Sequence, residues 1–171
     1  MVATAAWCSH VLALSRYDVA LNFGVCGSFD PVLKPGDVVQ VVTDRLAELG
    51  AEDGEAFVSI PELNLPAEHE FRNVAPPANA ALGRLRTVSG ITVNTVHGNE
   101  RSIAAVTARF MPQVESMEGA AFMQSCLIPG IRFAQVRAVS NVVERRNRDA
   151  WKLADAIGAL GTIALSILDG L

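Results

Sequence analysis

Three short segments hold residues that can do chemistry. "VESMEGAA" (114–121) sets Glu115 and Glu118 on either side of a Ser-Met pair, where an apolar lead-in gives way to small residues. An ionised carboxylate at such a junction is a strong hydrogen-bond acceptor. It equally suits a helix N-terminus, where the macrodipole favours acids. "GVCG" (24–27) lets backbone approach a ligand closely, but it is neither a GxGxxG fingerprint nor a P-loop. "RAVSN" (137–141) ends an apolar run with Ser140 and Asn141. An amide there offers one acceptor and two donors, and it is also a common turn former. His97 and Cys26 read as structural. The histidines (His10, His69, His97) and cysteines (Cys8, Cys26, Cys126) are scattered, with no metal-ligand spacing and no Ser-His-Asp order.

Alternating elements must position these segments. Residues 2–16 read as a helix, from Ala3, Ala6, His10 and Leu14. A short buried strand lies within 18–29 and ends in the glycine loop. Pro35-Gly36 makes a turn, and β-branched residues make a strand from about Val38 to Thr43. Residues 50–80, with Pro61, Pro66, Pro76 and Pro77, are the least regular part and read as a long loop or excursion. Residues 85–98 are β-rich. Asn99 is a candidate N-cap for a helix over 99–110. A short strand (111–116), a helix (117–127) stopped by Pro129-Gly130, and a strong strand (131–140) follow. A last helix runs from about Arg148 to Leu168, with an apolar stripe of Leu153, Ile157, Leu160, Ala164 and Ile167. Helices alternating with apolar strands predict a three-layer α/β fold. Ligands of such folds sit at the carboxyl ends of strands, so the three segments are expected to converge.

Composition narrows the function classes. The 171 residues suffice for one domain with a real core, spanning 1–171. Half the residues are hydrophobic and 19% are charged, which excludes a disordered chain. The net charge of −4, without basic runs, gives no nucleic-acid partner. Three dispersed cysteines suit a reduced, cytoplasmic protein with no structural metal. The opening "MVATAAWCSHVLALS" lacks the basic n-region of a secretion signal. No run of about 18 uninterrupted apolar residues predicts a membrane span.

Taken together, "NFGVCGSF", the "GDVV" that follows, "VESMEGAA" and "RAVSN" resemble the nucleoside phosphorylase and nucleosidase superfamily. Within it, "DRLAELGAEDG", "TVNTVHGNE" and "AVSNVVERRNRDAW" resemble the futalosine hydrolases of menaquinone biosynthesis. The resemblance covers essentially the whole chain. It implies a nucleoside-phosphorylase-like fold with a mixed central sheet flanked by helices. It also implies a homo-oligomeric enzyme without a cofactor that cleaves an N-ribosidic bond of a small nucleoside.

By that resemblance Glu118 holds the 2′- and 3′-hydroxyls of ribose and Met117 faces the sugar's apolar side. Asn141 reads a 6-oxopurine, where adenine-cleaving relatives carry Asp. Val25, Cys26, Gly27, Thr95, Val96 and Ser140 complete the substrate contacts. Glu115 matches no ribose ligand and is expected at the surface or a strand end. Bacterial phosphorylases of the superfamily hold phosphate with an Arg and a Ser where Asn22 and Val25 stand here, so water is the implied attacker. Arg145, Arg146 and Arg148 are candidates for the far end of the substrate, or solvated loop charges. The family begins with a strand and hairpin ahead of the first helix, which has no counterpart here; an N-terminally incomplete fold without a nameable general base is expected. A 6-oxopurine phosphorylase and a non-catalytic ligand-binding remnant are the alternative readings.

Overall fold

A computed structural model describes residues 1–171. The elements run α1 (Val2–Leu14), β1 (Val19–Ser28), β2 (Val38–Leu46), β3 (Gly50–Asp53), β4 (Ala56–Ser59), β5 (Glu70–Arg72), β6 (Arg86–Thr92), α2 (Glu100–Phe110), β7 (Val114–Ser116), α3 (Gly119–Leu127), β8 (Arg132–Val142) and α4 (Leu153–Leu168). The expected α/β architecture forms, a mixed sheet flanked by helices.

β8 lies at its centre, parallel to β1 and antiparallel to β2. β1 runs antiparallel to β7, β7 parallel to β6, and β6 parallel to β2. Five strands therefore close into a ring, and β5 pairs with β2 from outside it. A strand paired on both edges and covered on both faces needs a continuous apolar run, and β8 is buried without a break from Phe133 to Ser140. Its side chains alternate. Phe133 and Val139 join the main core with Val39, Val41 and Met123. Ala134 and Val136 join a second cluster with Leu82 and Ile167 beneath α4. A third cluster, Ala47, Ile91, Val93 and Val106, lies beneath α2.

Asn99 caps α2 as expected, its side chain accepting from the Arg101 and Ser102 backbone N–H groups. Helix 117–127 begins two residues late, at Gly119. The last helix begins at Leu153, after a single 3₁₀ turn over Arg148–Ala150. By length and composition alone, Arg148–Leu168 is apolar enough to cross a membrane, with mean hydropathy 1.4. Here Ala156 and Ile167 of this segment are buried, and Leu160 and Ile163 pack against the second cluster.

The long loop or excursion expected over 50–80 carries three short strands that the reading did not place. β3 and β4 make an antiparallel ribbon around a Gly54-Glu55 turn, with Gly54 at φ 59°, and β5 adds to β2. The prolines that hid these strands lie between and beyond them, and a Gly-led two-residue connection suits a hairpin.

Candidate active site

Glu118 is the residue before the first turn of α3. An acid at that N-cap position ordinarily accepts a hydrogen bond from the helix's first N–H groups. The Glu118 side chain makes no such bond. Thr92, at the end of β6, takes the duty instead. Its hydroxyl accepts from the Ala120 N–H at 2.7 Å and donates to Asp44 Oδ1 at 2.9 Å. Gln135 Nε2 donates to the other Asp44 oxygen at 2.9 Å. Gly119 seats the helix on this socket, since a Cβ there would collide with Asp44 and Gln135. Burial pushes the Asp44 carboxyl up to about 6, against the opposing pull of its two donors and of Arg137.

The Glu118 carboxylate is thereby left free, 47% exposed, with Oε2 3.9 Å from Nη2 of Arg137. Arg137 is only 1% exposed. Its Nη1 donates to the Asn22 side chain, while Nε and Nη2 are buried without a hydrogen-bond partner. Burial lowers the Arg137 pKa, opposed by the charges of Glu118 and Asp44, and a guanidinium stays protonated even so. Gly24 makes room for it: a Cβ there would lie 2.6 Å from Nη1. The result is an open carboxylate above a buried cation, beside Met117, which is 38% exposed. Such a group accepts two hydroxyl hydrogen bonds at once.

The ends of β1 and β8 form the second half. The register shifts so that Cys26 pairs with Val139 and Gly27 with Asn141, leaving Ser140 as a bulge. Bulges re-aim side chains. The Ser140 hydroxyl lies 3.1 Å from the Cys26 carbonyl and 2.8 Å from Asn141 Oδ1. Asn141 Nδ2 donates to the Val142 carbonyl at 2.9 Å. The amide is thus oriented, with one N–H uncommitted. A Cβ on Gly27 would stand 2.8 Å from Val143 Cγ2, 3.4 Å from Asn141 Nδ2 and 3.5 Å from Glu115 Cγ, so these three side chains close around the glycine. Burial pushes the Cys26 thiol up to about 12, which leaves it neutral and inert. Arg137 and Asn141 are four residues apart on β8, about 13 Å at ~3.3 Å per residue.

Glu115 is not at the surface. It sits in β7, 4% exposed, with Oε1 accepting the His97 backbone N–H at 3.1 Å and Oε2 2.6 Å from His97 Nδ1. The antiparallel register of β7 with Gly27 turns this carboxylate inward. Thr95 is exposed and Val96 half-buried on the turn after β6. Glu48 holds that turn through the Asn94 and Thr95 N–H groups at 2.8 and 3.3 Å. Val25 is half-buried near the end of β1. Arg145 and Arg148 are exposed. Arg146 lies over the Trp151 ring at 5.7 Å, and its backbone N–H donates to the Gly98 carbonyl. Sequence reasoning missed Asp44, Thr92, Gln135 and Arg137. The available signal was Gln135 and Arg137, two polar residues on one face of an otherwise apolar strand, which must be paired when buried.

The chain belongs to the phosphorylase superfamily, whose family model matches residues 1–169. Among curated relatives, futalosine hydrolase of Thermus thermophilus is 31% identical over 168 residues, covering 92% of this chain and 75% of that protein. Futalosine hydrolase of Streptomyces coelicolor is 30% identical, covering 84% of this chain and 62% of its own length. The solved structure of Helicobacter pylori futalosine hydrolase superposes with a TM-score of 0.79 at 15% identity, over 99% of this chain and 76% of that one.

Proposed function

We propose that this chain hydrolyses the N-ribosidic bond of a 6-oxopurine nucleoside, with futalosine as substrate and hypoxanthine as the leaving base, in menaquinone biosynthesis. The observation that carries this reading is Glu118: a carboxylate at a helix start, excused from capping by Thr92 and backed by the buried Arg137. The futalosine hydrolases among its relatives support the choice of substrate.

Breaking a ribosidic C–N bond builds positive charge on the sugar and negative charge on the base. Glu118 accepts the ribose hydroxyls and places its charge beside the developing cation; Arg137 beneath holds the carboxylate in place. Preorganised charge of this kind lowers the barrier without reorganisation cost. At the other end, the free N–H of Asn141 donates to the 6-oxo group. Val25 carries no hydroxyl for phosphate, and the Asn22 amide is engaged by Arg137. Water is therefore the attacking group. In the cell the enzyme is a cytoplasmic homo-oligomer.

The test is incubation with futalosine in the presence and absence of phosphate. Hypoxanthine and a free reducing sugar are expected without phosphate. A sugar 1-phosphate formed only when phosphate is added overturns the hydrolase, and no hypoxanthine under either condition overturns the nucleosidase.

A further inference from the structure

We propose that His97, held by Glu115, delivers the proton that the departing purine needs; this rests on the nucleosidase reading above. Both Glu115 oxygens are engaged by one residue, the backbone N–H and the ring Nδ1 of His97, at 3.1 and 2.6 Å. A carboxylate on Nδ1 sets the tautomer: the Nδ1 proton faces Glu115, and Nε2 is left to gain and give a proton.

The pair is at the base end of the site, not the ribose end. Glu115 stands opposite Gly27 across the β1–β7 ladder, and Gly27 stands opposite Asn141 across the β1–β8 ladder. Glu115, Asn141 and Val143 all pack around Gly27, Val143 nearest to where its Cβ would stand. Asn141 can hydrogen-bond a purine, but an amide cannot supply a proton. His97 is 13% exposed and lines a cavity of about 320 Å³ with Ala47, Phe57 and Ser102. That cavity gives the ring a path to solvent.

The step balances. The C1′–N bond breaks and its electron pair leaves with the base. The Nε2 proton of the imidazolium passes to a base nitrogen. Water adds its oxygen to C1′ and loses one proton to solvent, and solvent returns a proton to Nε2. The sum is water added across the bond. The charged groups facing His97 are Glu115 directly, Glu48, Glu52 and Arg109 on the cavity wall, and Arg146 beside Gly98.

The experiment compares futalosine with its N7-methylated form, whose base already carries the charge that protonation would supply and leaves without taking a proton. General acids contribute on the order of a hundredfold or more. His97→Gln and Glu115→Gln are expected to lose about a hundredfold in kcat/KM on futalosine and less than about threefold on the methylated substrate. The methylated substrate also reports whether the variants are folded. On futalosine, the parent chain should lose kcat/KM on the alkaline side through a limb that His97→Gln lacks. Equal losses on both substrates, no loss, or an alkaline limb that survives in His97→Gln overturns the proton-delivery role while leaving the nucleosidase in place. Failure of the parent chain to cleave either substrate overturns the nucleosidase reading, and this role with it.

Discussion

Glu118 occupies a helix N-cap without capping, and that release is what makes it available to a ligand. Glu118→Gln keeps the shape and removes the charge. A loss of about a hundredfold or more in kcat/KM on futalosine is expected, as for other preorganised electrostatic contacts. The melting temperature should barely move, because the side chain makes no cap bond and is half-exposed. Normal turnover in the variant would remove the ribose-carboxylate role. Asn141 is the residue proposed to read the base. Asn141→Asp turns the carboxylate's lone pairs on a 6-oxo group and removes the donor, a mispairing that costs a few kcal/mol and discriminates steeply. The ratio of kcat/KM for 6-oxo over 6-amino nucleosides should fall by more than about tenfold. An unchanged ratio would mean that Asn141 only shapes the bulge at the end of β8.

At the scale of elements, α3 is held by a polar socket rather than by its own cap. Asp44 of β2, Thr92 of β6 and Gln135 of β8 converge on the first turn of the helix. This socket carries a pH signature. The Asp44 carboxyl lies at about 6 in the folded chain against 3.8 ordinarily, raised by burial. A raised acid contributes stability that is fully present below the unfolded value and is lost as pH rises through the folded one. The window is therefore pH 4 to 6, with about 3 kcal/mol lost across it from this group. Asp44→Asn should flatten that part of the profile, since Gln135 can rotate to offer its carbonyl, which has no partner now. Urea midpoints between pH 4 and 7 check this. A parent chain whose stability rises across the window, with the variant unchanged, would show that Asp44 is ionised throughout.

Across the whole molecule, the closed five-strand ring buries its centre and leaves two helices with apolar surface facing out. No residue of α1 is buried, and Val2, Trp7, Val11 and Leu14 are exposed. On α4, Leu153, Ile157, Leu165 and Leu168 are exposed. Apolar surface on this scale marks association sites. Sedimentation is expected to give a species heavier than the 18.2 kDa chain, and Trp7→Asp with Leu14→Asp should shift it towards the monomer if α1 forms the contact. A parent chain that sediments as a monomer at all concentrations would remove the oligomer.

The sequence by itself determined the alternation of strands and helices, the Asn99 cap and the apolar run of β8. Each is written in neighbours a few residues apart: a period of two, a period near 3.6, or a side chain reaching its own helix start. It also offered Glu118 and Asn141 as candidate site residues, through motifs that are contiguous in the chain. It did not determine the β3–β4 ribbon, which four prolines obscured, or the inward turn of Glu115, which follows from the register of β7 on Gly27. Nor did it reveal that Thr92 would cap α3 and free Glu118, or that Arg137 would lie beneath that carboxylate. Those partners lie 28 and 19 positions apart in the chain. Only the closing of the sheet brings them within hydrogen-bonding or ion-pair reach, and a buried polar group keeps its place only where such a partner arrives.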